Sequence, residues 1–320
     1  MLTVYRRINN KLVATDDHVT ALNDGSAVWV DLLRPTPEEE KLVEDAFTID
    51  APTDEERAML EYSARFYEEN GALVLTATVV SRGKDDKPQS GGVSFILTKG
   101  NTLVTVRTID PFAFRVGQGR ATARVDNAQD GADVLMALIE GLIERLADVM
   151  QEISARAQKA SDTVFNADHF GAADMRPALT ELARLGNLTT LGRDSLASLE
   201  RAFAFARHRC DAHGLPGDQL AALTRDAEQL NRQGDAMQDH LVFLLDGVLG
   251  LVAANQNVAL QRLSVFAAAL VPSTLIASIF GMNFEAMTWF KAPWGPWVAF
   301  GLMVVTSAAT LVFARWRRWI

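Results

Sequence analysis

Residues 263–284, with the sequence LSVFAAALVPSTLIASIFGMNF, contain no Asp, Glu, Lys or Arg, and the same holds for residues 292–314, APWGPWVAFGLMVVTSAATLVFA. A helix of about 20 residues is long enough to cross the hydrocarbon core of a bilayer. Helices of soluble proteins bury one apolar face and keep charged side chains on the other. The sequence therefore predicts two membrane-spanning helices, joined by a short loop into a hairpin.

The charges that flank these runs predict their orientation. A hairpin leaves both chain ends on the same side of the membrane. The second run is followed by the basic tail Arg315, Arg317 and Arg318, whereas the connecting loop holds only Glu285 and Lys291. Because basic residues are in excess in cytoplasmic segments, we expect both termini in the cytoplasm.

One face of the first run has the composition of a pore lining. Two helices cannot enclose an aqueous path, so a pore requires several copies of the chain. Counting back from Asn283 at helical spacing gives a stripe of polar, small and aliphatic residues: Ser278, Thr274, Val271, Ala267, Leu263 or Ser264, Leu260 and Asn257. Small residues also mark helix–helix packing in membranes, so spacing alone leaves both interpretations open. Pro272 is expected to bend or loosen this helix, because proline removes a backbone hydrogen bond.

The rest of the chain is strongly acidic. The first 256 residues hold 39 acidic and 26 basic residues, a formal net charge of −13. Such a domain repels nucleic-acid phosphates and attracts cations, so we expect no nucleic-acid partner. The single cysteine, Cys210, fits a reducing compartment. The first residues have no apolar core of signal-peptide length, which predicts that the N-terminal part is not exported.

The pattern of residues 1–130 predicts a cytoplasmic α/β (α+β) domain. Thr36 and Pro37, followed by two glutamates, predict the start of a helix, and a second short acidic helix is expected from Thr53 to about Ser63. Gly100 and Asn101 predict a tight hairpin between the last two strands. The segments rich in β-branched residues, which are typical of strands, are residues 27–33, 73–80, 93–99 and 102–108.

Residues 131–256 show helical periodicity and are predicted to form a cytoplasmic helical region. No proline occurs between Pro216 and Pro272. A continuous stalk helix from Gly217 to Phe280 would be about 95 Å long. It would lead into residues 257–320, the predicted transmembrane hairpin.

The end of the first uncharged run carries a motif. The sequence FGMNFEAM occupies residues 280–287, and a second membrane run and a basic, aromatic tail follow it. This Gly-Met-Asn triplet, placed at the outer end of the penultimate membrane segment, resembles the CorA family of magnesium transporters. The resemblance extends upstream through Pro272, Ser273 and Thr274, and downstream to the last four residues.

The resemblance implies a homopentameric channel in the bacterial cytoplasmic (inner) membrane. The selectivity filter would be a ring of Gly281, Met282 and Asn283 at the extracytoplasmic mouth, near Glu285. The hydrophobic gate would be formed by Leu260, Leu263 and Val271, with Thr274 and Asn257 as polar stations. Neutral amide oxygens suit hydrated Mg²⁺, which gives up its water reluctantly. The membrane potential would drive Mg²⁺ influx, and Co²⁺ and Ni²⁺ are further candidate ions.

The resemblance also implies inhibition by cytoplasmic Mg²⁺ bound between neighbouring subunits. The candidate ligands lie on the predicted stalk: Asp226, Asp235, Asp239 and Asp246. Mg²⁺ would then be the transported and the regulatory ion, and no other cofactor is expected. The chain departs from the family after the motif, where Thr288, Trp289 and Phe290 replace the usual proline and second glutamate. This departure removes one ring of negative charge at the mouth.

The sequence leaves two alternatives to this function. A zinc or other transition-metal transporter of the same fold stays open, because an asparagine ring recognises hydration and charge more than identity. A membrane-anchored oligomeric scaffold or metal sensor is the alternative from another class. His208, Cys210 and His213 have the residue types of a zinc site but too few ligands. Since no metalloprotease, hydrolase or phosphate-loop motif occurs, an enzyme is not expected.

Overall fold

The N-terminal part of the chain is built on a seven-stranded sheet. Its strands are β1 (Leu2–Ile8), β2 (Lys11–Thr15), β3 (Ala27–Leu33), β4 (Phe66–Glu69), β5 (Ala72–Arg82), β6 (Pro88–Leu97) and β7 (Leu103–Arg107). Their order in the sheet is β2-β1-β3-β7-β6-β5-β4. The central pair, β3 and β7, is parallel, and the other neighbours are antiparallel. The predicted α/β (α+β) class is confirmed.

The computed structural model describes residues 1–8, 11–15, 17–58, 65–82, 88–111, 114, 128–165, 172–282, 294–317 and 319. These residues fall into two compact units. The first is Met1–Phe170 with Arg176–Leu244, and the second is Gly171–Met175 with Leu245–Ile320. The ranges 1–130, 131–256 and 257–320 drawn from the sequence stay predictions.

Three short helices accompany the strands: α1 (His18–Asn23), α2 (Pro37–Phe47) and α3 (Asp54–Ala58). The predicted start of α2 is confirmed, with Thr36 as N-cap. The Thr36 Oγ1 accepts from the Glu39 backbone N–H at 3.3 Å, and Glu39 Oε2 accepts from the Thr36 N–H at 3.0 Å. This reciprocal capping box satisfies two amide groups that a helix start leaves unpaired. Residues 59–64, the predicted continuation of the acidic helix, lie outside the described residues.

Long helices follow the sheet: α4 (Gly131–Phe165), α5 (Ala172–Arg207) and, after the single turn α6 (Cys210–His213), α7 (Gly217–Gly281) and α8 (Gly295–Trp316). The continuous helix predicted from Gly217 to Phe280 is therefore confirmed to within one residue. It continues through Pro272. The predicted bend or loosening at that proline stays a prediction.

Strand alternation gives the sheet two buried faces. One face packs against α1 and α2 and includes Val30, Leu32, Ile96, Val104 and Val106. On the other face the strand neighbours of these residues are buried as well: Trp29, Asp31, Phe95, Leu97, Leu103 and Thr105. The sheet is thus covered on both sides, as its near-continuous apolar strands predict.

The predicted hairpin between β6 and β7 is confirmed, and its strained position is the asparagine. Asn101 has φ +60° and donates its backbone N–H to Thr98 O at 2.9 Å, whereas Gly100 has no positive φ. Helix α4 begins directly against this turn. The Gly131 N–H donates to Asn101 O at 2.7 Å, and a Cβ at Gly131 would lie 2.4 Å from both Asn101 O and Leu103 N. Only glycine permits this approach of helix and hairpin.

Candidate functional site

Helices α7 and α8 are both long and apolar enough to cross a membrane. They pack side by side within the second unit. Ser307 donates its hydroxyl to Ala269 O at 2.9 Å, Ser273 donates to Met303 O at 3.1 Å, and the two serine Oγ atoms lie 2.7 Å apart. The predicted two-helix hairpin is present in this arrangement, with α8 antiparallel to the end of α7.

The face that α7 turns towards α8 is made of small and medium side chains. Val265 and Ala269 are buried on α7, as are Ala299 and Ala314 on α8. Small residues let two helices approach closely in a membrane, where van der Waals contact and hydrogen bonds hold them together. The packing face of α7 is therefore centred on Val265, Ala269 and Ser273.

The predicted pore stripe lies on the opposite face of α7. At about 100° per residue, the stripe is turned roughly 180° from the packing face. All seven residues of the stripe are exposed in the single chain: Asn257, Leu260, Leu263, Ala267, Val271, Thr274 and Ser278. The exposed fractions of Leu260, Leu263 and Val271 are 60%, 65% and 62%. The stripe is thus not the surface that packs against α8, and its role as a pore lining stays a prediction.

Hydroxyl groups along the stripe are held by the helix itself. Thr274 Oγ1 donates to Leu270 O at 2.8 Å, and Ser278 Oγ donates to Thr274 O at 2.8 Å. Each hydroxyl oxygen keeps its acceptor lone pairs, because the bond uses only its proton. The stripe therefore presents oxygen acceptors at two levels and aliphatic side chains between Leu260 and Val271.

The Gly-Met-Asn motif lies at the end of α7. Gly281 is the last helical residue, and the Met282 N–H donates to Ile279 O at 3.3 Å. Met282 is 52% exposed, and a Cβ at Gly281 would meet nothing within 4 Å. Asn283 and Glu285 lie outside the described residues. The glycine is therefore not required by packing within the part of the single chain that the structure describes.

The ends of the hairpin carry exposed aromatic and basic residues. Trp294 and Trp297 at one end of α8 are 55% and 77% exposed, and Trp316 at the other end is 76% exposed. Arg315 and Arg317 are exposed, and the Arg317 guanidinium lies 6.0 Å from the centre of the Phe313 ring. Arg318 is outside the described residues. Such aromatic and basic side chains suit the two interfaces of a bilayer.

The candidate regulatory aspartates, Asp226, Asp235, Asp239 and Asp246, are all exposed on α7. Asp235 forms an ion pair with Arg193 of α5. Among the described residues no group of three or more His, Cys, Asp or Glu side chains is placed to hold a metal ion. Their role as regulatory ligands stays a prediction.

The segment from His208 to His213 has a structural arrangement. His213 Nε2 lies 2.6 Å from Glu68 Oε1, and Arg209 Nε lies 3.2 Å from Glu68 Oε2. The hydrogen bond with His213, and then that with Arg209, lowers the pKa of Glu68. Cys210 is buried, its pKa is raised by that burial, and its thiol donates to Ala206 O at 3.5 Å. These contacts tie strand β4 to the turn before α7.

A buried charged network on the central strands was not predicted from the sequence. Arg107 of β7 forms an ion pair with Asp31 of β3 at 2.8 Å, and Thr105 donates to Asp31 Oδ1 at 2.8 Å. The Trp29 indole N–H donates to Thr105 at 2.9 Å. Burial, reinforced by the Asp31 charge, raises the pKa of Tyr5 to about 12. Asp31 within the apolar segment AVWVDLL was the available signal, because a buried carboxylate requires a partner.

The chain is similar to known proteins in sequence and in fold. The family described as CorA-like Mg²⁺ transporter protein matches residues 24–315. The chain belongs to this family. The resemblance inferred from the Gly-Met-Asn motif is thereby confirmed, and the CorA family is by its description one of transporters, not of enzymes.

Individual CorA relatives match over the full chain. The magnesium transport protein CorA of Haemophilus influenzae is 28% identical over 320 residues, which is 100% of both chains. That of Mannheimia succiniciproducens is 27% identical over 321 residues, again 100% of both. The structure of the CorA magnesium transporter from Methanocaldococcus jannaschii superposes with a TM-score of 0.75 at 15% identity, covering 100% of this chain and 99% of that one. At that identity the structural likeness shows the fold.

Proposed function

We propose that this chain forms a homopentameric Mg²⁺ channel in the bacterial cytoplasmic membrane, with both termini in the cytoplasm. The observation that supports it most directly is the position of the pore stripe. The stripe faces away from α8 and remains exposed from Asn257 to Ser278. A ring of five such faces would enclose an aqueous path, which a single hairpin cannot do.

The chemistry of the stripe suits a hydrated divalent ion. Leu260, Leu263 and Val271 would form an aliphatic neck that empties of water when narrow and so blocks the ion. Thr274, one turn nearer the extracytoplasmic end, would offer hydroxyl oxygens to the hydration shell. At the mouth, the side-chain carbonyl of Asn283 would accept from the waters of Mg²⁺ without stripping them. Glu285 would raise the local cation concentration there.

The membrane potential would drive the ion inward. A divalent ion gains about 4.6 kcal/mol per 100 mV of inside-negative potential. No nucleotide is therefore needed. Binding of cytoplasmic Mg²⁺ between the acidic protomers, with the stalk aspartates as ligands, would cancel their repulsion and favour the closed state.

Uptake into liposomes tests this function. The full chain is reconstituted with a magnesium-sensitive dye inside, and an inside-negative potential is imposed. We expect Mg²⁺ influx that scales with the potential, and pentamers by native mass spectrometry. Parallel vesicles with Zn²⁺, Co²⁺ and Ni²⁺ dyes identify the ion. If Zn²⁺ crosses the membrane and Mg²⁺ does not, the transported ion is Zn²⁺ and not Mg²⁺. Intact pentamers that transport none of the four ions would contradict the channel function and favour a scaffold or sensor.

A further inference from the structure

The hydrogen bonds between α7 and α8 involve residues of α7 on both sides of Pro272. Pro272 has no backbone N–H, so the carbonyl of Ala268 loses its normal helical donor, and the proline ring crowds that turn. The next carbonyl, that of Ala269, receives the hydroxyl of Ser307 from α8 at 2.9 Å. Ser273, the residue after the proline, lies 2.7 Å from the same Ser307 oxygen. We call Ser273, Ser307 and the Ala269 carbonyl the serine clamp.

Counting protons shows how the clamp is connected. Each serine hydroxyl has one proton to donate and two lone pairs that accept. If Ser307 donates to Ala269 O, the proton of Ser273 goes to Ser307 Oγ at 2.7 Å or to Met303 O at 3.1 Å. Both protons are then used across the helix interface. In the hydrocarbon region no water competes for these bonds.

Neighbouring hydroxyls of α8 behave differently. Thr306 Oγ1 donates to Leu302 O at 2.8 Å, and Thr310 Oγ1 donates to Thr306 O at 2.9 Å. Both bonds stay within α8, the usual way for a membrane helix to satisfy a threonine. Ser307 is the hydroxyl of this segment that reaches the backbone of the neighbouring helix. The difference provides a matched control at similar depth.

The clamp acts on the turn that carries two residues of the pore stripe. Val271 and Thr274 lie on either side of the Pro272–Ser273 pair, and both are exposed on the face opposite to α8. Because proline weakens the helix at this turn, contacts with α8 determine the position of the turn and therefore that of Val271. The clamp holds the turn on the α8 side.

We propose that Ser307 is a positioning residue for the pore: through Ser273 and the Ala269 carbonyl it holds the Pro272 turn of α7 against α8 and keeps Val271 back from the pore axis. The inference rests on the proposed channel function. Without the clamp, the weakened turn moves towards the axis and the aliphatic neck narrows. The maximal rate of Mg²⁺ uptake then falls, whereas the half-saturating Mg²⁺ concentration, which is determined at the mouth, does not change.

The test compares Ser307→Ala, Ser273→Ala and the double variant with Thr310→Val in proteoliposomes. We expect the maximal rate to fall roughly threefold to fifteenfold in Ser307→Ala, which corresponds to the loss of a single interhelical hydrogen bond in a membrane. The double variant should be no slower than the slower single variant, since the two serines act as a unit. Thr310→Val should keep the wild-type rate. An unchanged or raised maximal rate in Ser307→Ala, or an equal loss in Thr310→Val, would overturn the proposal.

Hydrogen–deuterium exchange supplies a readout that does not depend on transport. Peptides covering residues 268–276 should exchange faster in Ser307→Ala than in the wild type, and at the wild-type rate in Thr310→Val. Equal exchange in Ser307→Ala would overturn the clamp even if Mg²⁺ moves. If the wild type moves no Mg²⁺, the channel function fails, while exchange at residues 268–276 still decides whether Ser307 holds the turn.

Discussion

The ion pair between Arg107 and Asp31 makes a strong prediction about the cytoplasmic sheet. Both side chains are almost fully buried, with exposed fractions of 5% and 6%. Arg107 donates to Asp31 through Nε at 3.0 Å and through its terminal nitrogen at 2.8 Å, and Thr105 adds a third donor at 2.8 Å. Asp31→Asn keeps the shape but removes the charge, and it leaves Arg107 with the partly exposed Asp110 as its remaining carboxylate partner. We expect a loss of about 3–5 kcal/mol in the free energy of unfolding, the cost of removing one partner of a buried pair.

Urea unfolding followed by tryptophan fluorescence measures this loss. Trp29 is the single tryptophan of the first 256 residues, and it donates to Thr105 of the same network, so its emission reports on this site. The signal of the membrane tryptophans is obtained from a Trp29→Phe background and subtracted. Asp45→Asn, at an exposed position of α2, is the control and should change stability by no more than about 0.5 kcal/mol. A loss below about 1 kcal/mol in Asp31→Asn would refute the argument from burial and pairing.

Three further predictions concern other parts of the chain. Gly131→Ala should cost about 1–3 kcal/mol, because its Cβ would lie 2.4 Å from the Asn101 carbonyl oxygen, whereas Gly186→Ala, with nothing within 4 Å, should be neutral or stabilising in the same urea titration. The pKa of Glu68 is lowered in the folded state, so its ionised carboxylate stabilises the fold above the unfolded pKa of about 4.3, and this stabilisation is lost as the pH falls through the folded pKa. Glu68→Gln should therefore lose less stability than the wild type between about pH 6 and pH 3. An equal loss of stability in both proteins would contradict the pairing. Val271→Asn should hydrate the proposed neck and raise Mg²⁺ uptake, whereas Val271→Leu should not; dye-loaded vesicles measure both.

The sequence predicted those parts of the fold that depend on local pattern. Strand β3 occupies the predicted residues 27–33, and α7 begins at the predicted Gly217, because long apolar periodicity outweighs the details of tertiary packing. Strand β1 was not predicted, and neither were the edge strands β2 and β4. The sequences of β2 and β4, KLVAT and FYEE, are short and mixed, and they form strands because each pairs with the backbone of a neighbouring strand.

The predicted strand at residues 93–99 omitted the first residues of β6, which begins at Pro88. These first residues include Pro88, Gly91 and Gly92, which rarely favour strands. The structure explains both glycines, since a Cβ at Gly91 would lie 2.8 Å from Ile109, and one at Gly92 would lie 2.9 Å from the Arg57 carbonyl. Those neighbours come from distant sequence, so local pattern could not reveal the reason.

For the candidate site, helical spacing predicted a pore stripe, which stays a prediction, and it did not predict the face of α7 that packs against α8. Leu260, Leu263 and Val271 are exposed in the single chain, but so are apolar residues of α7 outside the stripe, such as Phe266. The bond from Ser307 to Ala269 depends on the register between two helices, and that register is not encoded in the spacing of either helix alone. The link from Arg107 to Asp31 has the same origin, because it joins strands 76 residues apart.

The most direct test of the channel is Mg²⁺ uptake by Asn283→Ala beside the wild type, in vesicles with an imposed inside-negative potential. Asn187→Ala, at an exposed asparagine of α5, is the matched control. We predict uptake by the wild type and Asn187→Ala, and loss of uptake in Asn283→Ala while pentamers persist. Undiminished Mg²⁺ uptake through Asn283→Ala would contradict the assignment of the filter, and the absence of uptake by the wild type would contradict the channel itself.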